Sequence, residues 1–283
     1  MKILATSDLH QMITKWKDLV SVCQRQKFDV VAIAGDLFPK DNGIENQIPF
    51  IKHLRKYATK INNTGAKIVL ILGNDDNQNI IPEMEKSHND GLWYYIPDKV
   101  IDIGGYEFVA MPYVPDYPFG YKFWCRAERE NNLRINSEQF CEPLILNKNN
   151  KFEVIEDYPK YLRNQNSICK SLFIGTINVK NIQKSIWLIH APPANLLLDI
   201  CADGRKVGSN EIYEFIIKQQ PLITIHGHIH ESPEYNGNKW CHQENKTLCI
   251  QAGQIGFKLH YVIIDVENGE VKSVWHSIYG SKI

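Results

Sequence analysis

Three short apolar segments in the first quarter of the chain alternate with two segments of helical periodicity. The apolar segments are Lys2–Ser7, Phe28–Ala34 and Lys67–Leu72. Between them, apolar residues recur at three- and four-residue spacing, which predicts amphipathic helices around Trp16–Cys23 and Ile48–Ile61. Strands that are apolar throughout are typical of a sheet buried on both faces. This alternation therefore predicts a parallel sheet built from βαβ units.

Later in the chain the pattern changes to short β-rich segments around paired turn residues. Two hairpins are predicted, Val100–Ile103 with Tyr106–Met111 around Gly104-Gly105, and Tyr261–Asp265 with Val271–His276 around Asn268-Gly269. Three further strands are predicted at Ser185–Ile189, Leu222–Ile225 and Thr247–Gln251. Ser209 is the predicted N-cap of a helix at Glu211–Lys218. We expect an α/β protein of the four-layer α+β type, in which two mixed β-sheets pack as a sandwich with helices on the outer faces.

The stretch from Pro112 to Asn166 shows no clear period. It contains ten aromatic residues, which is too many for a disordered linker. A long segment of this kind inside a domain is usually functional or folded on its own account. We therefore expect one domain over residues 1–283, with an aromatic-rich insertion at about 112–166. We expect this insertion to fold over or beside the sheet edges and to shape substrate access or subunit contact.

Residues that commonly bind metals follow five of the predicted strands. They are Asp8, His10, Asp36, Asn74, His190, His228 and His230. Ligands of α/β proteins bind at the carboxyl edge of a parallel sheet, so we expect these side chains to meet there. Carboxylate and amide oxygens mixed with imidazole suit divalent ions such as Mn²⁺, Fe²⁺ and Zn²⁺. The sequence therefore predicts a metal site at this edge.

Read in chain order, the motifs D-x-H, G-D, G-N-D-D, H and G-H-x-H resemble the signature of the calcineurin-like metallophosphoesterases. The match runs from the first strand to His230. Within that superfamily, the HAPP motif at His190–Pro193, then Gly208-Ser209, and the GHIHES motif at Gly227–Ser232 are most similar to the bacterial and archaeal Icc-related phosphoesterases. The resemblance implies a metal-dependent phosphoesterase acting on a phosphomonoester or a phosphodiester.

The resemblance also implies a ligand set for two divalent ions, with Mn²⁺, Fe²⁺ or Fe³⁺, and Zn²⁺ as the expected metals. The first ion would be held by Asp8, His10, Asp36 and His230. The second would be held by Asp36, Asn74, His190 and His228, so that Asp36 bridges. Such a pair clamps phosphoryl oxygens and activates a water molecule for in-line attack.

One position departs from the family pattern. The family commonly has a histidine after Gly-Asn, where it assists the leaving group, and this chain has Asp75. A carboxyl group with an ordinary pKa of about 3.9 is a poor proton donor at neutral pH. Asp75 is expected either as a site carboxylate or as a hydrogen-bond acceptor behind the ligands. His226 is the other candidate proton donor, although a structural role is more typical of its position, and Asp76 is expected to brace the loop through backbone hydrogen bonds.

Charge and cysteine content narrow the expected partners. Lys and Arg total 32, as do Asp and Glu, so the net charge is zero, which argues against a protein that wraps long nucleic acid. No apolar run reaches the roughly 18 residues of a membrane span. The N-terminal residues lack a long apolar segment, so we expect no cleaved signal peptide. Seven cysteines without CxxC spacing suit free thiols in the cytoplasm.

We therefore expect a cytoplasmic enzyme that acts on a small phosphoester or nucleotide and does not associate with membranes. The sequence is compatible with a homo-oligomer. The alternative is a non-catalytic metal-binding scaffold of the same fold. Asp75 favours that alternative, whereas the complete ligand set argues against it. A structural zinc site is disfavoured because the cysteines and histidines near the C-terminus have none of the usual spacings. Arg205 and Lys206 lie in a loop from which they could reach a phosphate, although solvated charges are more typical.

Overall fold

The computed structural model describes residues 1–40, 44–97 and 99–282. Its helices are α1 (Ile13–Arg25), α2 (Ile44–Asn62), α3 (Ile81–Asn89), α4 (Tyr158–Arg163), α5 (Ile168–Asn178), α6 (Asn210–Gln219) and α7 (Ser232–Tyr235). Strands β1 to β8 are Lys2–Thr6, Val30–Ala34, Lys67–Ile71, Tyr94–Tyr95, Val100–Ile103, Tyr106–Met111, Leu144–Leu146 and Phe152–Val154. Strands β9 to β15 are Ser185–Ile189, Ile223–His226, Cys241–Glu244, Thr247–Gln251, Val262–Glu267, Glu270–His276 and Gly280–Ser281.

The first sheet has seven strands in the order β15-β14-β13-β1-β2-β3-β4. Strands β1 to β4 run parallel, in a register that pairs Ile3 with Val30 and Val31 with Ile68. Strand β13 joins the other side of β1 in the antiparallel direction. The fully apolar sequence of β2 is buried at every position, as a strand covered on both faces requires.

The second sheet has six strands in the order β11-β12-β10-β9-β6-β5. Its four central strands run parallel, and both edge strands, β5 and β11, run antiparallel to their neighbours. The turns of the two predicted hairpins have positive φ at both central residues, with Gly104 and Gly105 at +61° and +84° and Asn268 and Gly269 at +54° and +79°. Such turns match the twist of the strands they join.

The two sheets pack face to face, and helices cover their outer faces. Successive side chains of a strand point to opposite faces. In β1, Ile3 therefore packs between the sheets, together with Ile186 of the second sheet, whereas Leu4 packs under α1 and α2. On the far side, Trp187 of β9 packs against α5 and α6. Truncating a fully buried residue such as Ile186 to alanine would cost about 2–5 kcal/mol. The predicted sandwich with outer helices is confirmed.

Residues 112–166 are folded against the sheets. They contribute the short hairpin β7–β8 and helix α4, none of which the sequence pattern predicted. Val114 and Leu162 are buried in the core under α5, while Trp124 is buried in the core on the other side of the molecule. No helix within the described residues is long and apolar enough to cross a membrane. All seven cysteines lie within the described residues and are free.

Candidate metal centre

The carboxyl ends of five strands bring the seven predicted ligands to one edge of the sandwich. Asp8, Asp36 and Asn74 follow β1, β2 and β3 of the first sheet. His190 follows β9, and His228 and His230 follow β10 of the second sheet. The loops approach so closely that a side chain on Gly35, which has φ of +96°, would place its Cβ 2.5 Å from His190 Nδ1. Glycine is required there because any Cβ would collide with the His190 ring.

Four of these ligands have a left-handed backbone. The φ angles are +55° at Asp8, +45° at His10, +52° at Asp36 and +72° at His228. Residues other than glycine rarely adopt this conformation, at a cost of about 1–3 kcal/mol each. Strained backbone of this kind is typical of functional sites, where the surrounding structure holds it in place.

The first ligand set converges tightly. Asp8, His10, Asp36 and His230 each offer one ligand atom within 4.8 Å of all the others. The Nε2 atoms of His10 and His230 are 3.3 Å apart, and His230 Nε2 is 3.4 Å from Asp8 Oδ1. The other carboxylate oxygen of Asp8 is buried and has no hydrogen-bond partner among the described residues. Such a buried, unpartnered oxygen fits a metal ligand, because a cation would supply the missing partner.

The orientation of His10 also fits a metal ligand. Its Nδ1 lies 3.2 Å from the carbonyl oxygen of Phe38. Because a carbonyl only accepts hydrogen bonds, Nδ1 must carry the proton, and Nε2 presents its lone pair to His230. Metal-binding histidines commonly donate their second ring N–H in this way.

The second ligand set surrounds the side-chain oxygen of Asn74. Asn74 Oδ1 lies 2.9 Å from His190 Nε2 and 2.5 Å from His228 Nδ1. His190 Nε2 is also 3.4 Å from Asp36 Oδ2, and the same oxygen is 4.0 Å from His10 Nε2. His190 Nδ1 donates to the Ala34 carbonyl at 2.7 Å, which directs Nε2 toward the site. Asp36 thus lies between the two sets.

The electrostatics of the cluster favour ionised carboxylates. Burial raises the pKa of Asp8 and Asp36, but His230 beside Asp8 and His190 beside Asp36 outweigh it, so both pKa values lie far below the ordinary value. Burial lowers the pKa of His190, but the Asp36 carboxylate outweighs it and raises that pKa to about 9. Burial and the charge of His190 lower the pKa of His228 to about 3. Ionised carboxylates and a neutral His228 are the forms that bind metal.

Asp76 connects the two loops that carry Asp36 and Asn74. Its carboxylate accepts backbone N–H bonds from Leu37 and Phe38 after β2 and from Gly73 after β3, at 2.9–3.1 Å. It thereby ties the loop that carries Asp36 to the loop that carries Asn74, as the sequence predicted.

Asp75 lies beside the second ligand set. Its Oδ1 accepts from Asn74 Nδ2 at 2.9 Å, its Oδ2 lies 3.1 Å from Lys40 Nζ, and its backbone N–H donates to Asp36 Oδ1 at 2.8 Å. Burial and the nearby charge of Asp36 raise the pKa of Asp75, and Lys40 partly offsets that rise. The sequence alone does not identify Lys40, because a single lysine in a loop carries no local signal.

His226 is buried within β10 and uses both ring nitrogens for protein contacts. Nδ1 donates to the carbonyls of Ala191 and Ile189 at 2.8 and 3.1 Å, and Nε2 accepts from the Thr224 hydroxyl at 2.8 Å. Burial lowers its pKa to about 4, so the ring is neutral. Because its contacts flank His190, this geometry favours the structural role over the role of proton donor.

A cavity of about 530 Å³ opens over the ligands. Its lining includes Asn74, Asp75, His228 and His230 and, from the insertion, Phe119 and Phe140. The ring of Tyr117, also in the insertion, lies 5.9 Å from the ring of His228. Arg205 is at the rim, paired with Asp203 at 2.7 Å and with Glu138 at 3.0 Å. The insertion therefore lies beside the ligand edge.

The chain belongs to the calcineurin-like phosphoesterase family, whose family model matches residues 1–232. One solved structure aligns with 96% of this chain and 97% of its own, at 16% identity and a TM-score of 0.60. The protein TT1561 of Thermus thermophilus aligns over 96% of each chain, at 13% identity and a TM-score of 0.54. An archaeal phosphodiesterase aligns over 96% of this chain and 98% of its own, at 14% identity and a TM-score of 0.45. The similarity to the first two structures shows a shared fold. No curated protein sequence matches this chain significantly.

Proposed function

We propose that the protein is a phosphohydrolase that uses two divalent ions to cleave a small phosphomonoester or phosphodiester, such as a nucleotide. One observation carries the proposal: seven ligand side chains from five strand ends, with His10 and His190 both oriented by backbone carbonyls, line or adjoin one cavity. A cavity of about 530 Å³ lies within the usual range for small ligands.

The donor set fits two ions with a shared carboxylate. Asp8, His10 and His230 would hold the first ion, and Asn74, His190 and His228 would hold the second. Asp36 Oδ2 approaches histidines of both sets, so Asp36 would bridge. When bound, such a pair polarises phosphoryl oxygens and lowers the pKa of water to generate a nucleophile near neutral pH.

The remaining residues orient the ligands and enclose the substrate. Asp76 and the Ala34 carbonyl fix the positions of the loop after β2 and of His190. Tyr117 and Phe119 of the insertion also line the cavity, and their rings would limit the size of the substrate. Asp75 lines this cavity, whereas His226 is not among its lining residues, so Asp75 is the candidate that a substrate can reach.

The proposal is tested with protein purified without chelators and supplied with Mn²⁺. We expect metal-dependent hydrolysis within a panel of p-nitrophenyl phosphate, its bis-ester and cyclic nucleotides, and loss of activity on adding EDTA. Asp36→Asn should lower kcat/KM by about 10²-fold or more, because electrostatic stabilisation of the transition state is lost. Asp18→Asn, on the exposed face of α1, is the matched control.

Two outcomes would contradict the proposal. Activity that persists in EDTA-treated protein would show that bound metal is not needed. Stoichiometric Mn²⁺ binding without hydrolysis of any ester in the panel would favour the non-catalytic scaffold instead.

A further inference from the structure

The cavity contains a lysine that the ligand set does not use. Lys40 Nζ lies 3.1 Å from Asp75 Oδ2, and both residues line the cavity beside Asp36 and Asn74. The Lys40 side chain is 55% exposed, so its ammonium group is accessible to a bound molecule. Its one described ion-pair partner is Asp75.

Arg205, the other strongly basic residue among the described residues that line this cavity, has more ion-pair partners than Lys40. Its guanidinium group is paired with two carboxylates, those of Asp203 and Glu138, at the rim. Two acidic partners already balance that charge. Lys40 shares its single partner with the Asn74 amide, because Asp75 Oδ1 accepts from Asn74 Nδ2. Among the described residues, Lys40 has one carboxylate partner where Arg205 has two, so the charge of Lys40 is the less balanced of the two and the better placed to attract a substrate oxygen.

The position of the pair suggests what that oxygen is. Asp75 stands where the family resemblance implies a histidine that assists the leaving group. An ionised carboxylate cannot donate a hydrogen bond, but the ammonium group that it holds can. Hydrogen-bond donors aimed at developing negative charge are worth most inside a cleft that restricts water.

We propose that Lys40, held by Asp75, donates a hydrogen bond to the leaving-group oxygen of the phosphoester. This inference rests on the proposed hydrolase function. In the step concerned, the new bond from water oxygen to phosphorus forms as the bond from phosphorus to the leaving oxygen breaks, and the attacking water gives up a proton to solvent. The electron pair of that bond stays on the leaving oxygen, whose negative charge the ammonium group stabilises until the oxygen takes a proton from solvent water.

The test compares leaving groups. For native protein, Lys40→Gln and Lys40→Arg, kcat/KM is measured with Mn²⁺ across a series of aryl and alkyl phosphoesters. We expect Lys40→Gln to lower kcat/KM by about 10²-fold for alkyl esters and much less for nitrophenyl esters, whose leaving groups need little stabilisation. Lys40→Arg should restore most of the loss, because it keeps the positive charge. Lys56→Gln, an exposed lysine of α2, is the matched control.

A structural role for Lys40 would give a different result. It would lower kcat/KM for all esters by the same factor, and an unchanged dependence on the leaving group would overturn the inference. If native protein cleaves none of the esters, the proposed function fails. Calorimetric titration with phenyl phosphate, which then stays intact, tests separately whether Lys40 contacts the phosphoester. Binding about tenfold weaker in Lys40→Gln than in Lys56→Gln would support the contact, and equal binding would overturn it.

Discussion

Asn74 turns its side-chain oxygen toward His190 and His228 while its amide nitrogen donates to Asp75 Oδ1 at 2.9 Å. An amide has one accepting end and one donating end, and rotation by half a turn would exchange them. The carboxylate of Asp75 therefore sets the orientation of the Asn74 amide. It makes the Asn74 oxygen, which is the end able to bind a cation, face the ligand cluster. The residue that departs from the family pattern thus orients its neighbour.

Removing this acceptor should weaken the second metal position. We expect Asp75→Ala to lower Mn²⁺ affinity there by about 10–100-fold, as loss of a group that orients a metal ligand commonly does. Asp75→Asn, whose side-chain oxygen can still accept from Asn74, should lose less. Calorimetric Mn²⁺ titration of both variants measures this. Identical affinities in Asp75→Ala and native protein would show that Asn74 needs no such partner.

The stability of the folded insertion should depend on a buried ion pair. Lys122 Nζ is 2.8 Å from Asp116 Oδ1, and both side chains are almost fully buried. Tyr158 also donates to Asp116. Because Asp116→Ala would leave the Lys122 charge buried and unpaired, we expect a loss of about 3–5 kcal/mol in the free energy of unfolding.

Chemical denaturation measures that loss. Glu138→Ala, which removes one partner of the exposed Arg205, is the control and should have a much smaller effect. Equal effects of the two substitutions would contradict the importance assigned to the buried pair.

Mild acid should destabilise the C-terminal region through His276. This ring donates from Nε2 to the Ala252 carbonyl at 2.8 Å and accepts at Nδ1 from the Ile278 N–H at 3.0 Å, so it must be neutral. Burial lowers its pKa to about 4. In the unfolded chain the pKa is about 6.5, so the unfolded state binds more protons between these values. The associated stability is complete above about pH 6.5 and is lost as the pH falls toward 4.

The check is a denaturation series over that range with His276→Gln, whose amide can donate and accept without titrating. We expect native protein to lose more stability between pH 7.5 and pH 5 than the variant does. Parallel curves for the two proteins would show that His276 does not contribute to acid sensitivity.

The sheets could be predicted from the sequence because β1, β2 and β3 are short apolar segments separated by amphipathic helices. Helix α5 could not, since it is apolar on several faces and leaves Phe173 and Ile177 exposed, so no helical period appears. Hairpin β7–β8 has only three residues in each strand, which is too short for an alternation of apolar and polar residues to be recognised.

The candidate ligands could be predicted because they follow strand ends, and a parallel sheet brings such ends together. Roles that depend on long-range partners could not. The sequence makes His226 a candidate proton donor and favours a structural role for it. The contact that decides between these roles, from Nδ1 to the Ala191 carbonyl, joins residues that are far apart in the chain. Likewise, the ion pair between Lys40 and Asp75 joins the loops after β2 and β3, and only the folded chain reveals it.

The most direct test of the two-ion site is anomalous diffraction from crystals of the protein soaked in Mn²⁺. We predict two peaks on either side of the Asp36 carboxylate, one among Asp8, His10 and His230 and the other among Asn74, His190 and His228. Asp36→Asn should reduce the occupancy of both peaks. An absence of Mn²⁺ at these side chains, or two peaks that persist unchanged in Asp36→Asn, would contradict the account.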